Sequence, residues 1–471
     1  MSESVDVIVI GAGPAGMAAA ATAARHGASV VLLDEQSAPG GQIWRGIMQA
    51  PAARLDRLGT DYAAGKPQAQ LFAASGARHI TRAAVWQVNR DGIVNYLEDG
   101  VSHSIRGKHV VLCSGAMERP FPIPGWTLPG VMTAGAAQIM LKSADAVPQQ
   151  PAVLTGCGPL LYLLAWQYVR AGQKIQAIVD TTTNDDYRRA LPHLPAALAA
   201  WPYLKKGLGL INTIKRAGVP FYKGASELAV VGDQAANAIT FKAGGRTHRL
   251  ETNLVLLHQG VVPNTQFTWS LRAAHTWDTA QLCWRPDADR YGRLSGIERV
   301  LIAGDGRGIG GATVASLQGE LAGLAVAMDL GIVAAEEGAR LAAPLLAGVD
   351  KNLRIRPFLD ALYRPKDANR MPADDVLVCR CEEVTAGAIR SYVDIGCAGP
   401  NQTKSFGRCG MGPCQGRLCG LTVTEVIAQA RGVSPAEVGY YRIRPPIKPI
   451  TLAELAATRE DFPTATSGVQ P

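Results

Sequence analysis

Short runs of consecutive apolar residues, each closed by glycine or an acid, recur along this chain and are followed by longer helical stretches. Asp6-Val7-Ile8-Val9-Ile10 is one such run. Gly11-Ala12-Gly13-Pro14-Ala15-Gly16 then leads into an alanine-rich stretch ending at Arg25, and a second run, Ser29 to Leu33, ends in Asp34-Glu35. The same pattern restarts at Ala152, turns through Gly156-Cys157-Gly158-Pro159-Leu160-Leu161, and continues as Ile175 to Val179 closed by Asp180. Two more runs end in Cys113-Ser114-Gly115-Ala116 and in Ala303-Gly304-Asp305-Gly306. Runs this short and this apolar predict buried strands, and their alternation with helical stretches predicts an α/β fold.

The glycines have separate tasks. Gly11 permits a tight turn, Gly13 lets the backbone approach a pyrophosphate, and Gly16 allows the helix to pack closely on the strand. Pro14 and Ala15 complete the helix start on which phosphates would rest. Either Asp34 or Glu35 can accept hydrogen bonds from a ribose diol; spacing leaves both open, and strand length slightly favours Asp34. In the second turn Leu161 stands where the third glycine belongs, so the helix is expected to be pushed away or the phosphate space filled. A nicotinamide site, another adenine nucleotide and a structural relic all remain open there. Segment 184–222 reads as a helical surface insertion, and His258, on an apparent strand, as a packed residue.

At 471 residues the chain has room for two to three domains, and 47% apolar and 18% charged content suits a soluble protein. The net charge of +8 is spread without a Lys/Arg block, which argues against nucleic acid. No uncharged apolar run approaches the ~20 residues that span a membrane. Val7 to Ala24 lacks the basic leader of a signal peptide, so a reducing cytoplasm is the expected compartment.

Six of the nine cysteines fall between Cys379 and Cys419, which argues for metal ligation over disulfides. Cys379-x-Cys381 is followed by a short helical stretch through Thr385 to Tyr392, then Cys397, Cys409, Cys414 and Cys419. Cys409/Cys414 and Cys414/Cys419 share one spacing, so spacing permits either pair, and zinc with four thiolates is an alternative to an iron–sulfur centre. No Cys-x-x-Cys supports dithiol chemistry. A polar stretch from Arg364 to Pro372 marks a boundary before this module.

Three segments resemble the two-dinucleotide-binding-domain flavoproteins, the glutathione-reductase-like fold. They are Pro39-Gly40-Gly41-Gln42-Ile43-Trp44-Arg45, Val110 to Ala116, and Val300 to Gly306. The resemblance implies FAD, with Gly41, Gln42, Ser114, Gly115 and Gly304 against it and Asp305 on its ribityl chain. The cysteine region resembles the bacterioferritin-associated-ferredoxin-like 2Fe–2S module, whose motif implies Cys379, Cys381, Cys414 and Cys419 as ligands and leaves Cys409 aside.

The segments Glu118 to Met132 and Tyr441 to Ile450 are similar to those of sarcosine oxidase alpha chains, the B chain of hydrogen cyanide synthase, the A chains of opine (octopine and nopaline) oxidases, and D-hydroxyproline dehydrogenase. That resemblance implies a heteromeric C–N bond dehydrogenase. A D-amino-acid-oxidase-like flavoprotein partner would oxidise substrate, a small third subunit is allowed for, and this chain would pass electrons to an acceptor. The expected map is a discontinuous FAD domain (1–150 and 251–365), a second nucleotide-binding-like domain (151–250), a 2Fe–2S module (373–435) and a tail (436–471). The proline-rich stretches Arg119 to Pro129 and Arg444 to Pro449 could dock a partner or brace this chain.

Overall fold

Strands β1 (Glu3–Ile10), β2 (Val30–Leu33), β3 (Arg78–Ile80), β4 (Ala83–Val88), β5 (Ile93–Glu98) and β6 (Val101–Leu112) form one sheet in the order β3-β2-β1-β6-β5-β4. The closing strand Val300–Ile302 pairs in parallel with β6. The computed structural model describes residues 3–458, so 459–471, the end of the expected tail, lie outside the described residues.

Register decides what this sheet can do. Ile10 lies level with Leu33 on one side and Leu112 on the other, and Leu112 lies level with Ile302. The carboxyl ends of four parallel strands therefore deliver Gly11, Asp34, Cys113 and Ala303 to one edge, where open α/β sheets bind ligands.

The second sheet runs Phe221–Lys223, Ile175–Asp180, Ala152–Gly156, Val255–His258, Val131–Thr133, all parallel, and the antiparallel strands Ser226–Gly232, Ala236–Ala243 and Arg246–Glu251 form a separate small sheet. It draws strands from both sides of 151–250, because a parallel sheet widens only by crossover connections. Helices Asn184–Ala190, Leu194–Ala199 and Trp201–Arg216 form the surface insertion; in the last of them Ile214 is the buried residue. Among the described residues no helix is long and apolar enough to cross a membrane.

The cysteine module begins as the hairpin Leu377–Cys379 with Val384–Thr385, then the helix Ala386–Asp394, whose N-cap Thr385 accepts from the Ala388 amide at 3.2 Å. It is not set apart: Val378, Val423 and Ile427 share one apolar core with Ile8, Val110 and Phe267. Trp126 Nε1 donates to the Leu377 carbonyl at 2.8 Å, binding the module to the second sheet as well.

Both proline-rich stretches brace this chain. Phe121 and Ile123 are buried in the second sheet's core, and the Val230 amide donates to the Pro124 carbonyl at 2.8 Å. In the tail Tyr441, Ile443 and Ile447 are buried while Arg442 and Arg444 are exposed, and the Ile447 amide donates to the Trp86 carbonyl of β4 at 3.0 Å.

Candidate functional site

The first glycine turn is closed on one side and open on the other. Gly11, at φ +101°, donates its amide to the Leu33 carbonyl at 2.8 Å. A Cβ on Gly16 would stand 1.7 Å from the Gly11 carbonyl oxygen, so only glycine lets the helix Pro14–Arg25 approach. A Cβ on Gly13 would instead meet only the Gly41 Cα, at 3.9 Å. Gly13 therefore faces free space at a helix N-terminus, with Pro14 at the first helical position and the Ala15 methyl buried behind it. This is the geometry that admits a phosphate.

Successive residues of an extended chain point to opposite faces, and this separates the two acids. Asp34 turns towards the glycine turn: Oδ2 accepts from the Ala12 amide at 2.5 Å and Oδ1 from the Gln36 amide at 2.7 Å. Burial raises its pKa above the ordinary carboxylate value, against the pull of those two amides. Glu35 turns outward and pairs with Lys448 of the tail. Of the two, Asp34 is the one that faces the glycine turn.

The loop that follows is tied back to the same turn, the Gly40 amide donating to the Ala12 carbonyl at 2.8 Å. Gly41 sits against Gly13, while the exposed Gln42 side chain accepts from Arg45 at 3.2 Å. Behind the loop lies Lys142, 3% exposed, whose Nζ donates to the Gln42 carbonyl at 3.1 Å and to Gln138 Oε1 at 2.7 Å. Burial, with Arg45 nearby, pushes this amine down to about 7. Sequence reading missed it, since one lysine on a helix carries no signal.

The opposite wall comes from β6 and the closing strand. Ser114 Oγ donates to the Asn264 carbonyl at 2.7 Å, and Gly115 follows at φ +65°. Gly304 lies against Ala15, where an added Cβ would be 2.8 Å from the Ala15 methyl. Asp305 Oδ1 accepts from the Gly310 and Gly311 amides, both at 2.9 Å, which fixes its carboxylate at the mouth of the edge. The residues named from the sequence thus lie along this one edge of the sheet or in the loop tied to it, with Glu35 turned outward.

The second glycine turn is filled. Leu161 is fully buried, and Tyr162 beside it donates its hydroxyl to Asp180 Oδ2 at 2.7 Å. Asp180 Oδ1 accepts from the Thr182 amide at 2.8 Å, so the acid at this strand end is already engaged. The Tyr363 ring lies 6.0 Å from that of Tyr162, and Cys157 Sγ contacts the Tyr363 carbonyl at 3.6 Å. Lys366 pairs with Asp186 beside them. His258 is packed, as its position on a strand predicts, with Nδ1 2.6 Å from Glu118 Oε1. These residues do not fit a dinucleotide in the manner of the first turn.

The cysteine module brings five thiols together. The sulfurs of Cys379, Cys409 and Cys419, all buried, lie within 4.8 Å of one another. Cys414 reaches both Cys419 and the exposed Cys381. All four residues of the ligand motif are therefore gathered, and Cys409 joins them. Cys397 stands apart, its thiol 3.4 Å from the Gly399 carbonyl.

The thiols of Cys409 and Cys419 hold Cys379 far below the usual thiol range, helped by backbone amides of Gly410 and Glu382. Cys414 is pulled down chiefly by Cys419, whereas Cys419 moves up because it faces Cys379, Cys409 and Cys414. Thiols this close titrate as a coupled set, and thiolates are what soft metals take. Five sulfurs exceed the four that a tetrahedral zinc or a 2Fe–2S centre needs.

Comparison with known proteins assigns families to the two parts of the chain. Residues 5–319 match the pyridine nucleotide-disulphide oxidoreductase family, and residues 375–459 match the sarcosine oxidase A3 domain. The A chain of opine oxidase from Agrobacterium tumefaciens (strain Ach5) is 44% identical over 466 residues, 97% of this chain and 92% of that protein. The HcnB chain of hydrogen cyanide synthase from Pseudomonas aeruginosa is 30% identical over 460 residues, 94% of this chain and 96% of that one. Among solved structures, L-proline dehydrogenase from P. horikoshii superposes with a TM-score of 0.69 at 18% identity, covering 97% of this chain and 80% of its own, a likeness of fold alone.

Proposed function

Since the chain belongs to the pyridine nucleotide-disulphide oxidoreductase family, and within it to the group of opine oxidase A chains, it is a flavin oxidoreductase, and we propose that it is the electron-transferring subunit of a heteromeric opine or imino-acid dehydrogenase. In this reading a D-amino-acid-oxidase-like partner removes hydride from the carbon bonded to the substrate's nitrogen, leaving an imine. This chain holds FAD and a 2Fe–2S centre that lead the electrons to an acceptor. FAD takes up a hydride equivalent and a 2Fe–2S centre carries single electrons. Thiolates at metal-ligand spacing favour a reducing cytoplasm.

The observation that carries this reading is the pairing of an open first turn with a gathered set of thiols, in a chain whose second turn is filled. A cleft around Gly13, Asp34 and Asp305 suits FAD. Cys379, Cys381, Cys414 and Cys419 are the residues we assign to the 2Fe–2S centre, with Cys409 alongside. The engagement of Asp180 by Tyr162 weighs against NAD(P)H as the electron source. It bears equally on a further adenine nucleotide there.

Co-expression with a D-amino-acid-oxidase-like partner, followed by assay with octopine, nopaline, sarcosine, glycine and hydroxyproline, tests the partnership. Activity is expected only in the complex. Rapid flavin reduction when the isolated chain is mixed with NADH would make it a self-sufficient reductase instead. For the centre, Cys381→Ser and Cys419→Ser should each strip iron and acid-labile sulfide, while Cys409→Ser retains them. Loss in Cys409→Ser with Cys419→Ser normal would move the ligand role to Cys409, and zinc without sulfide would end the electron-transfer account.

A further inference from the structure

Tyr441, in the tail, is 1% exposed and reaches into the thiol group. Its hydroxyl donates to Cys409 Sγ at 3.4 Å and lies 3.9 Å from Cys419 Sγ. The other polar neighbour, Thr403 Oγ1, is also 3.4 Å away, but its own hydrogen goes to the Pro400 carbonyl at 2.7 Å. A separation of 3.4 Å is long for O–H···O, which prefers about 2.5–3.0 Å, whereas the larger sulfur accepts at that range. The phenolic hydrogen therefore belongs to sulfur.

The ring is clamped so that this hydrogen stays aimed. A Cβ on Gly410 would stand 2.4 Å from the ring Cζ, and one on Gly416 would stand 2.6 Å from Cδ2. Lys404 Nζ lies 5.0 Å from the ring centroid, and the Tyr440 ring meets it edge-on at 5.9 Å. Tyr440 in turn stacks on Trp269 beneath the first sheet, at 5.2 Å and 18°. The glycines on either side of Cys414 thus serve a ring more than twenty positions away. Both glycines lie against the ring, where any side chain would collide with it.

Resting on the 2Fe–2S reading above, we infer that Tyr441 is a positioning residue that donates a hydrogen bond to a cluster-ligating sulfur and raises the reduction potential of the centre. One-electron reduction adds negative charge that spreads onto the ligand sulfurs. A donor aimed at such a sulfur stabilises the reduced form more than the oxidised one. The hydroxyl lies 3.4 Å from Cys409 Sγ and 3.9 Å from Cys419 Sγ. The bond is therefore already made if Cys409 is the ligand, and with Cys419 as the ligand, as assigned above, the hydrogen turns from the first sulfur to the second.

The test is an anaerobic potentiometric titration of the full chain followed by electron paramagnetic resonance, alongside iron and acid-labile sulfide assays. Tyr441→Phe keeps the ring between Gly410 and Gly416 and removes only the donor. Its one-electron equilibrium should shift about tenfold towards the oxidised form, about 59 mV more negative. Replacement of Tyr441 by 3-fluorotyrosine, a stronger donor, should move the potential the other way. Potentials that coincide for the native and fluorinated chains, with iron and sulfide intact, overturn the role of Tyr441. The fluorinated chain decides the matter even if Tyr441→Phe fails to assemble a centre. A native chain without iron and sulfide refutes the cluster reading itself, which is a separate result.

Discussion

The two glycine turns begin alike and end differently. Each is a buried parallel strand, a glycine pair, Pro at the first helical position, and a second strand closed by an acid. At the first, Gly13 faces free space and Asp34 holds only backbone amides. At the second, Leu161 is fully buried, Tyr162 donates its hydroxyl to Asp180, and the Tyr363 ring lies against that of Tyr162. The same strand, glycine and helix pattern thus ends in an open turn at one place and a packed one at the other. What decides is whether later parts of the chain leave the space above the turn empty.

The largest effect should come from Gly13→Val. Gly13 has φ −73°, which any residue adopts, and its Cβ would meet no protein atom closer than 3.9 Å. The variant should fold and yet purify without flavin absorbance near 450 nm. Full flavin content would break the comparison at its root.

A smaller contrast comes from neutralising each acid. Asp34→Asn should weaken FAD about tenfold to a hundredfold, as expected for a lost charge-assisted bond to a ribose hydroxyl. Asp180→Asn should leave flavin content unchanged. It should cost about 1–3 kcal/mol of stability by weakening the Tyr162 contact. Equal flavin loss in both would mean that the second turn also holds a nucleotide.

The last contrast, a pH dependence, concerns the polar link between the regions. Lys142 joins the Gln42 loop to Gln138, which donates to Gln167 Oε1 at 2.9 Å on the second turn's helix Pro159–Arg170. Its folded amine gives up a proton near 7, the unfolded one near the ordinary lysine value of 10.5. Between those values the unfolded chain binds one more proton, so this residue makes stability rise with pH by at most about 1.4 kcal/mol per unit. Lys142→Met should lose that rise. Melting curves of the two proteins that stay parallel from about pH 7 to 10 would reject it.

Much of this was legible beforehand where chemistry is local. A Gly-x-Gly-x-x-Gly turn needs a strand before it and a helix after it, so Gly11, Gly13 and Gly16 could be given tasks from sequence. The Cys379-x-Cys381 pair and the run of cysteines to Cys419 likewise pointed to the thiols. Asp34 and Glu35 could not be separated until the strand's end showed which one faces Ala12. Cys409 could be set aside on motif grounds, but its position between Cys379 and Cys419 could not be read from spacing.

Apolar runs, turn glycines and cysteine spacing by themselves determined the α/β class, the two nucleotide-type turns and the thiol module, because each depends on residues within one turn or one strand. Only the tertiary structure decided that the second turn is closed, since Tyr363 and Lys366 reach it from a segment some two hundred positions further along the chain. It also decided that the tail points Tyr441 at Cys409 and sends Lys448 to Glu35. The occupancy of a space is settled by whatever distant segment packs into it, and no local pattern encodes that.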